Sequence, residues 1–313
     1  MNIETDFKSD FHRLHSDAGF SSLEERLRFD VEQTLKSLYA DLALADHLDD
    51  LYIPLATWIA DRTKPGQHPL VVGMGGAQGC GKTTLCSVLS RVLTKGFALK
   101  TIVLSIDDLY KTQDQRQAMA KKVHPLFVTR GVPGTHDMEL AESIFMRLHD
   151  LKSGEVMRLP SFDKSIDERR SVRVWNEVEG PIDIILFEGW CVGVQPQLTD
   201  LAPPLNVLER EMDPDCVWRE AVNKALLTDY KRLFAKIDLM MWMQAPNYEV
   251  VYNWRNKQER ILEAHLFDIH GVGLDKIDLT VMSADELRNF MQFYERLTKH
   301  MLLTMPDQVD VLL

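Results

Sequence analysis

The sequence contains little cysteine and no long apolar run, and each absence excludes a class of protein. Four of the 313 residues are cysteines, at positions 80, 86, 191 and 216, and no two of them form a C-x-x-C pair. Neither a zinc site nor a disulfide framework is therefore indicated, and we expect a cytoplasmic protein with reduced thiols. No apolar run reaches the length of a membrane span, and the acidic, polar first ten residues are unlike a signal peptide.

Basic residues are outnumbered and dispersed along the chain. There are 36 Lys and Arg against 47 Asp and Glu, which gives a net charge of −11, and no Lys/Arg-rich block occurs. Such a surface does not favour nucleic acid, so we expect a small-molecule partner and neither a nucleic-acid nor a membrane partner. A small anionic substrate has to be held by a local basic site against the overall negative charge.

One stretch fits a known pattern completely. Residues 76–83 read GAQGCGKT, which matches G-x-x-x-x-G-K-[ST]. Glycines let the backbone approach an anion closely, and the N–H groups of such a loop then point at phosphates. The Lys82 ammonium is expected to reach the β- and γ-phosphates, and the Thr83 hydroxyl to bind Mg²⁺. The predicted ATP-binding residues are Gly76, Ala77, Gln78, Gly79, Cys80, Gly81, Lys82, Thr83 and Thr84.

The surroundings of this phosphate loop support the interpretation. Residues 70–74 form a short apolar run typical of a buried strand, and apolar residues at helical spacing follow from Leu85 to Leu93. Strand, loop and helix in this order are the context that the motif requires. The alternative is a glycine-rich turn with no ligand, which does not explain why both Lys82 and Thr83 are present.

The rest of the chain predicts an α/β fold with a doubly wound parallel sheet. Near-continuous apolar strands separated by helices are typical of such sheets, and their ligands bind at the carboxyl ends of the strands. We predict further strands at 101–106, 182–187, 237–243 and 309–313. We predict helices at 138–152, 216–235, 247–266 and 284–303, the last behind a capping box of Ser283 and Glu286.

The segment before the phosphate loop differs from the core. Residues 1–20 are predicted to be a poorly ordered arm, and residues 22–60 to be helical, with Pro54 at the start of a helix. A breaker at residues 64–67 separates this region from the first strand. We therefore divide the chain into a helical extension, residues 1–66, and a phosphate-loop (P-loop) domain, residues 67–313.

Acidic residues follow two of the predicted strands. Asp107 and Asp108 end the second strand, where one carboxylate could accept the proton of an acceptor hydroxyl and the other could hold Mg²⁺ through water. An Asp-rich turn is the alternative, and it explains one Asp better than two. Glu188 ends the third strand as in a Walker B pattern, and its carboxylate is predicted to face Mg²⁺ held by Thr83.

Three further segments carry candidate substrate and lid residues. Residues 130–137 read RGVPGTHD, residues 159–170 read LPSFDKSIDERR, and residues 254–260 read WRNKQER. Asp137 has the alternative of capping the next helix, and the second segment that of a solvated charged loop. Arg255, or less favourably Arg260, is the candidate for closing over the transferring phosphoryl group. The substrate candidates are Asp108, Tyr110, Arg130, His136, Asp137, Asp163, Lys164, Arg169 and Arg170.

In combination these motifs closely resemble the plant-type D-glycerate 3-kinases and their bacterial and fungal kinase-like relatives. The resemblance rests on GCGKTT at 79–84, SIDDLYKT at 105–112, RGVPGTHD, LPSFDKSIDERR, FEGW at 187–190 and NWRNKQE at 253–259, in this order. This group is similar to phosphoribulokinase, uridine kinase and pantothenate kinase. The resemblance implies that Lys82 and Thr83 serve ATP–Mg²⁺, that Asp107 is the catalytic base, and that Arg255 lies in the lid.

The sequence therefore predicts an ATP-dependent small-molecule kinase, with Asp107, Lys82 and Arg255 as catalytic residues and D-glycerate as the first choice of acceptor. Uridine, pantothenate or another sugar acid stays open, because Phe162 and Trp190 could stack on a nucleoside. A nucleotide switch is less favoured, because neither Asn-Lys pair, at 223–224 and 256–257, is followed by the Asp of a guanine-binding motif. An adaptor that has lost catalysis does not explain the intact Lys82 and Asp107.

Overall fold

The computed structural model describes residues 18–64, 66–270 and 282–313. The strands are, in chain order, β1 (Leu70–Gly76), β2 (Thr101–Ser105), β3 (Val156–Leu159), β4 (Phe162–Asp163), β5 (Glu168–Arg169), β6 (Asn176–Glu179), β7 (Ile184–Gly189), β8 (Leu239–Met243) and β9 (Val311–Leu312). The α-helices are α1 (Ala18–Ser37), α2 (Ile53–Ala60), α3 (Lys82–Gly96), α4 (Gln113–Lys122), α5 (Met138–Asp150), α6 (Val207–Met212), α7 (Val217–Ala225), α8 (Lys231–Phe234), α9 (Tyr248–His270) and α10 (Ala284–Thr304).

Five parallel strands form the central sheet in the order β2-β7-β1-β8-β9. This confirms the predicted α/β fold with a parallel sheet. Glu188 on β7 lies level with Met74 on β1 and with Ser105 on β2. The carboxyl ends of β1, β2 and β7 therefore meet at one edge, and the segments that follow them lie side by side.

The sheet is covered on both faces, which explains its apolar strands. Alternate residues of β7 enter different clusters, since Ile184 and Leu186 pack on one face while Ile185 and Phe187 pack on the other. The first face is covered by α1, α2 and α3, and the second by α5 and α10. The helices before residue 61 thus share a hydrophobic core with β1 and α3, and the division of the chain at residue 66 stays a prediction.

Several element boundaries differ from the prediction. The strand predicted at 182–187 runs from Ile184 to Gly189, and the one at 237–243 begins at Leu239. The predicted helix at 216–235 is interrupted by a π-turn at Leu226–Tyr230. Helix α10 begins behind the predicted capping box, in which Ser283 Oγ accepts from the Glu286 N–H, and Pro54 lies in the first turn of α2.

The N-terminal arm predicted at residues 1–20 lies mostly outside the described residues, although α1 already begins at Ala18. Within the part of the chain that the structure describes, no helix is both long enough and apolar enough to cross a lipid bilayer.

Candidate active site

The phosphate loop connects β1 to α3 and is fixed by glycine. Gly79 and Gly81 have φ values of +82° and +93°, a region that glycine adopts without strain. Gly79 also lies against α9, since a Cβ there would be 2.8 Å from Trp254 Cβ. Helix α3 then begins at Lys82, so its N-terminal N–H groups are directed at the loop.

The polar side chains of the loop are directed inward. Lys82 is only 8% exposed, and its Nζ donates a hydrogen bond to the Ala77 carbonyl (2.9 Å) and lies 3.8 Å from Cys80 Sγ. Both amide atoms of Gln78 are buried, and neither has a hydrogen-bond partner among the described residues. An unpartnered buried amide and an inward-facing ammonium fit a polar, anionic ligand held in this loop.

Thr83 and Glu188 lie together beneath the loop. The Thr83 hydroxyl donates to Glu188 Oε1 over 3.3 Å, and Glu188 is 4% exposed. Burial raises the pKa of Glu188, although Lys82 and a hydrogen bond with Ser105 oppose that rise. One hydroxyl and one carboxylate suit Mg²⁺, which takes few protein ligands and keeps waters and substrate phosphates. Among residues 18–64, 66–270 and 282–313, no cluster of three or more His, Cys, Asp or Glu side chains could hold a metal ion.

Asp107 enters the site through a 3₁₀ turn (Ile106–Leu109), which Ser105 caps by accepting the Asp107 N–H. Its Oδ1 accepts from the Tyr110 hydroxyl (2.8 Å) and its Oδ2 from Lys164 Nζ (2.5 Å). Burial alone would raise the pKa of Asp107, but Lys164 and Tyr110 outweigh it and hold that pKa well below its usual value. Asp107 is therefore ionised and fixed in orientation.

The neighbouring acid, Asp108, has a different environment. Its Oδ1 accepts the backbone N–H of Phe162 over 3.0 Å, which ties the turn after β2 to β4. Burial raises the pKa of Asp108. Asp108 does not line the cavity, whereas Asp107 does, so this 3₁₀ turn directs its two adjacent carboxylates to different surroundings.

A cavity of about 250 Å³ connects the phosphate loop to Asp107. It is lined by these residues from the sequence prediction: Gln78, Gly79, Lys82, Thr83, Asp107, Tyr110, Arg130, Lys164, Glu188 and Arg255. It is also lined by Trp190, which the prediction considered only for stacking on a nucleoside, and by residues that the prediction did not place in the site: Gly189, Gln258, Phe290 and Tyr294. Four of the lining side chains are cationic and two are carboxylates, so the cavity is locally basic within an acidic protein.

Arg130 reaches the cavity from a loop that is held by its backbone. The Tyr294 hydroxyl of α10 donates to the Arg130 carbonyl (3.1 Å), and the Trp190 indole N–H donates to the Gly131 carbonyl (3.1 Å). Gly131 has φ +130°, and a Cβ there would lie 2.1 Å from the Tyr294 hydroxyl oxygen. The close approach of α10 to this loop therefore requires glycine.

The side chain of Arg130 lies against the hairpin of β4 and β5. Its Nη1 is paired with Asp167, its Nη2 lies 3.4 Å from the Lys164 carbonyl, and its guanidinium carbon is 5.7 Å from the centre of the Phe162 ring. The turn between β4 and β5 thus supplies both Lys164, which lines the cavity, and the carboxylate that contacts Arg130.

Other predicted substrate residues lie beside the cavity. His136 is fully buried, its Nδ1 is 2.5 Å from the Tyr230 hydroxyl oxygen, and its ring stacks on Tyr110; burial lowers its pKa to about 3. Asp137 caps α5 by accepting the Leu140 N–H, which confirms the capping alternative.

Arg169 and the hairpin tip complete the surroundings of the cavity. Arg169 donates to the Tyr110 carbonyl (2.7 Å) and to the Asp137 carboxylate (2.9 Å). Asp163 pairs with the half-exposed Arg170 over 3.1 Å, on the hairpin but outside the cavity lining. These contacts fix the loops that present Tyr110, Arg130 and Lys164. The substrate-binding roles of five residues stay predictions: His136, Asp137, Asp163, Arg169 and Arg170.

Helix α9 places Arg255 over the phosphate loop. The Arg255 guanidinium pairs with Glu259, one turn further along the helix, and donates to Gln258 Oε1 over 3.2 Å. Glu259 is buried and accepts the backbone N–H of Met282 (3.3 Å). Arg260 is exposed and does not line the cavity, so the structure favours Arg255 as the candidate for the lid.

Comparison with known proteins places these features in a family. Residues 71–208 match the Phosphoribulokinase / Uridine kinase family. The chain is 35% identical over 226 residues to the chloroplastic D-glycerate 3-kinase of Arabidopsis thaliana. The aligned region covers 66% of this chain and 47% of the plant protein. The chain therefore spans about half the length of this relative. It is also 30% identical over 221 residues to an uncharacterized kinase of Schizosaccharomyces pombe, and this alignment covers 67% of this chain and 76% of the yeast protein.

Solved structures agree with the sequence comparison. D-glycerate 3-kinase from Cryptococcus neoformans var. grubii aligns with a TM-score of 0.61 and 26% identity, over 80% of this chain and 86% of that chain. The family match begins within β1 and extends past β7, so it includes the phosphate loop, Asp107 and Glu188. Together with the relative aligned over 76% of its own length, this match shows that the chain belongs to the phosphoribulokinase / uridine kinase family.

Proposed function

We propose that this protein is an ATP-dependent kinase that transfers the γ-phosphoryl group to a hydroxyl of a small acid, with D-glycerate as the preferred acceptor and 3-phosphoglycerate as the product. The observation that carries the proposal is the small basic cavity that has the phosphate loop at one end and the fixed carboxylate of Asp107 at the other. Two relatives bear the name D-glycerate 3-kinase, which supports this choice of acceptor.

The donor end of the cavity is made by the phosphate loop. The loop N–H groups and the N-terminus of α3 provide a site for the triphosphate of ATP, and Gln78 provides an amide that has no protein partner. To bind ATP, the Lys82 ammonium has to replace its hydrogen bond to the Ala77 carbonyl with hydrogen bonds to phosphate oxygens. Thr83 and Glu188 would hold Mg²⁺, which when bound offsets the charge that develops on the phosphate oxygens.

The acceptor end is organised around Asp107. Because Lys164 and Tyr110 keep its pKa low, Asp107 is ionised at neutral pH and can accept a hydrogen bond from the acceptor hydroxyl. Catalysis of phosphoryl transfer depends mainly on positioning and electrostatics, so a weak but well-oriented base is sufficient. We infer that Asp107 aligns the hydroxyl and receives its proton as the hydroxyl oxygen bonds to the γ-phosphorus and the bond from that phosphorus to the leaving ADP breaks.

An acceptor carboxylate has two cationic neighbours in this cavity. Arg130 and Lys164 both line it, and Arg130 offers the planar fork that pairs well with carboxylates. Lys82 and Arg255 remain for the charge on the transferring phosphoryl group. Lys164 already contacts Asp107 and Arg130 already contacts Asp167, but both cations keep further N–H donors for a ligand. A carboxylate forms charge-assisted hydrogen bonds with such donors, so this distribution favours an anionic acceptor over a neutral one.

The structure gives less support to a nucleoside acceptor. Stacking on Phe162 or Trp190 would require an accessible ring face, yet these residues are 7% and 5% exposed. The Trp190 ring packs edge-on against Tyr294, with ring centres 4.9 Å apart, and its N–H is already bonded to the Gly131 carbonyl. Both rings are therefore engaged in holding the walls of the cavity.

The proposal is tested by offering several acceptors to the purified protein with ATP and Mg²⁺. We expect D-glycerate to gain a phosphate, detected by ³¹P NMR of the product, and L-glycerate, glycerol, uridine and pantothenate to react at least about a hundredfold more slowly in kcat/KM. Efficient transfer to uridine or pantothenate, with none to D-glycerate, would overturn the choice of acceptor while keeping the kinase. ATP hydrolysis that no acceptor stimulates would overturn the kinase itself.

A further inference from the structure

The turn between β4 and β5 places one carboxylate between two arginines. Asp167 Oδ2 accepts a hydrogen bond from Nη2 of Arg116 (2.7 Å), and Oδ1 is paired with Nη1 of Arg130. The backbone of Asp167 has φ +55°, in the left-handed region that Asp and Asn adopt more readily than other side chains. The same carboxylate thus joins an arginine of α4 to the arginine that lines the cavity.

Arg116 is a rigid anchor for this carboxylate. It is 1% exposed, and its guanidinium donates to the carbonyls of Lys111 (3.3 Å), Val128 (2.9 Å) and Asp167 (2.9 Å), besides the Asp167 carboxylate. A buried guanidinium with this many hydrogen bonds has little freedom to turn, and its charge requires a paired carboxylate. Asp167 is therefore held in place by a group that does not reach the cavity.

Arg130 is the more exposed partner in this arrangement. Its side chain is 23% exposed and lies over the Phe162 ring. A guanidinium has five N–H donors, and Asp167 together with the Lys164 carbonyl uses only part of them, so donors remain for a ligand in the cavity. Without the Asp167 contact, a long and flexible side chain would sample several orientations.

We propose that Asp167, anchored by Arg116, is a positioning residue that directs the Arg130 guanidinium at the carboxylate of the acceptor and so sets the affinity for anionic acceptors. The inference rests on the proposed function, in which Arg130 contacts that carboxylate. Asp167 itself does not line the cavity.

Two simpler roles for Asp167 predict different results. If Asp167 acted only through its charge, removing it would make the cavity more positive and would lower the KM for an anionic acceptor. If it were only structural, its loss would lower the melting temperature and affect ATP and acceptor alike. If Asp167 positions Arg130, its loss should raise the KM for the acceptor and leave the KM for ATP unchanged. This effect should appear only when Arg130 is present.

The test is a double-mutant cycle in the full-length protein with Asp167→Asn and Arg130→Gln. Asparagine keeps the size and tolerates the left-handed backbone, but it replaces one of the two carboxylate oxygens with an NH₂ group, so one of the two arginines faces a donor instead of an acceptor. We expect Asp167→Asn to raise the KM for D-glycerate by about tenfold, because a small displacement of a substrate-binding group is costly. In the Arg130→Gln background the same change should alter this KM by less than about twofold.

The matched control is Asp114→Asn, which removes one negative charge from an exposed position on the same helix as Arg116. We expect its KM values to equal those of the unmodified protein. A fall in the KM for D-glycerate, additive effects in the cycle, or an equal change in the KM for ATP would each overturn the positioning role. If the unmodified protein does not phosphorylate D-glycerate, the proposed function fails; if it does and Asp167→Asn is without effect, only this inference fails.

Discussion

Lys82→Met is expected to reduce kcat for phosphoryl transfer by on the order of 10²–10³, the cost typical of removing one group that stabilises the charge of a transition state. Methionine keeps the apolar stem of this buried side chain, so the fold should be retained. The ammonium that now contacts the Ala77 carbonyl is the one expected to follow the transferring phosphate. The readout is the steady-state rate of ADP formation with D-glycerate and saturating ATP–Mg²⁺.

Lys95→Met serves as the matched control, since this lysine is exposed in the last turn of the same helix, α3. Its kcat should equal that of the unmodified protein. A loss below about tenfold in Lys82→Met, with both variants folded by thermal melting, would contradict the role of the loop in transfer.

Asp107→Asn is expected to lower kcat by about 10²–10⁴, the range for loss of a positioned acid or base, with little change in the KM for ATP. Asparagine has nearly the same size and can still accept a hydrogen bond from Tyr110 or Lys164. The fall in kcat therefore measures the effect of removing the negative charge beside the acceptor hydroxyl. Transfer at the unmodified rate would show that Asp107 is not the base, and Asp114→Asn again provides the control for charge.

The environment of Asp107 also limits the acid side of the pH profile. Its pKa is held below the ordinary value of about 3.9, so this carboxylate stays ionised as the pH is lowered through the range where exposed aspartates protonate. Asp107 therefore contributes no loss of kcat between neutral pH and about pH 4.

The parts of the site that follow strands were predictable from sequence. The phosphate loop, Asp107 and Glu188 each come directly after an apolar run, and a parallel sheet brings the carboxyl ends of its strands to one edge. Apolar periodicity and motif spacing can be read from the local sequence, and they were sufficient to predict that these three groups lie at the same edge of the sheet.

The difference between Asp107 and Asp108 was not predictable in this way. Which of two adjacent acids faces the cavity depends on the 3₁₀ turn after β2 and on the backbone N–H that Phe162 offers to Asp108, some fifty residues away. The strands β3 and β6 were also not predicted, because both are only four residues long. Residues Asn176–Glu179 of β6 show no alternation of apolar and polar residues that would indicate a strand.

The contribution of α10 depends on contacts distant in sequence. Phe290 and Tyr294 lie on the helix that was predicted at 284–303, where they pack on the hydrophobic core, and the same two side chains also line the cavity. Tyr294 reaches the cavity through its close approach to Gly131 and its hydrogen bond to the Arg130 carbonyl, and neither contact can be read from the local sequence pattern. Asp167 was missed for a related reason, because its two arginine partners lie 51 and 37 residues away.

The most direct test of the account is a crystal structure with a non-hydrolysable ATP analogue, Mg²⁺ and D-glycerate. We expect the β-phosphate within the loop of residues 76–83, the acceptor hydroxyl hydrogen-bonded to Asp107, and the acceptor carboxylate in contact with Arg130 or Lys164. A nucleotide bound elsewhere, or a glycerate whose hydroxyls face away from Asp107, would contradict the claim that this cavity is where the phosphoryl group is transferred.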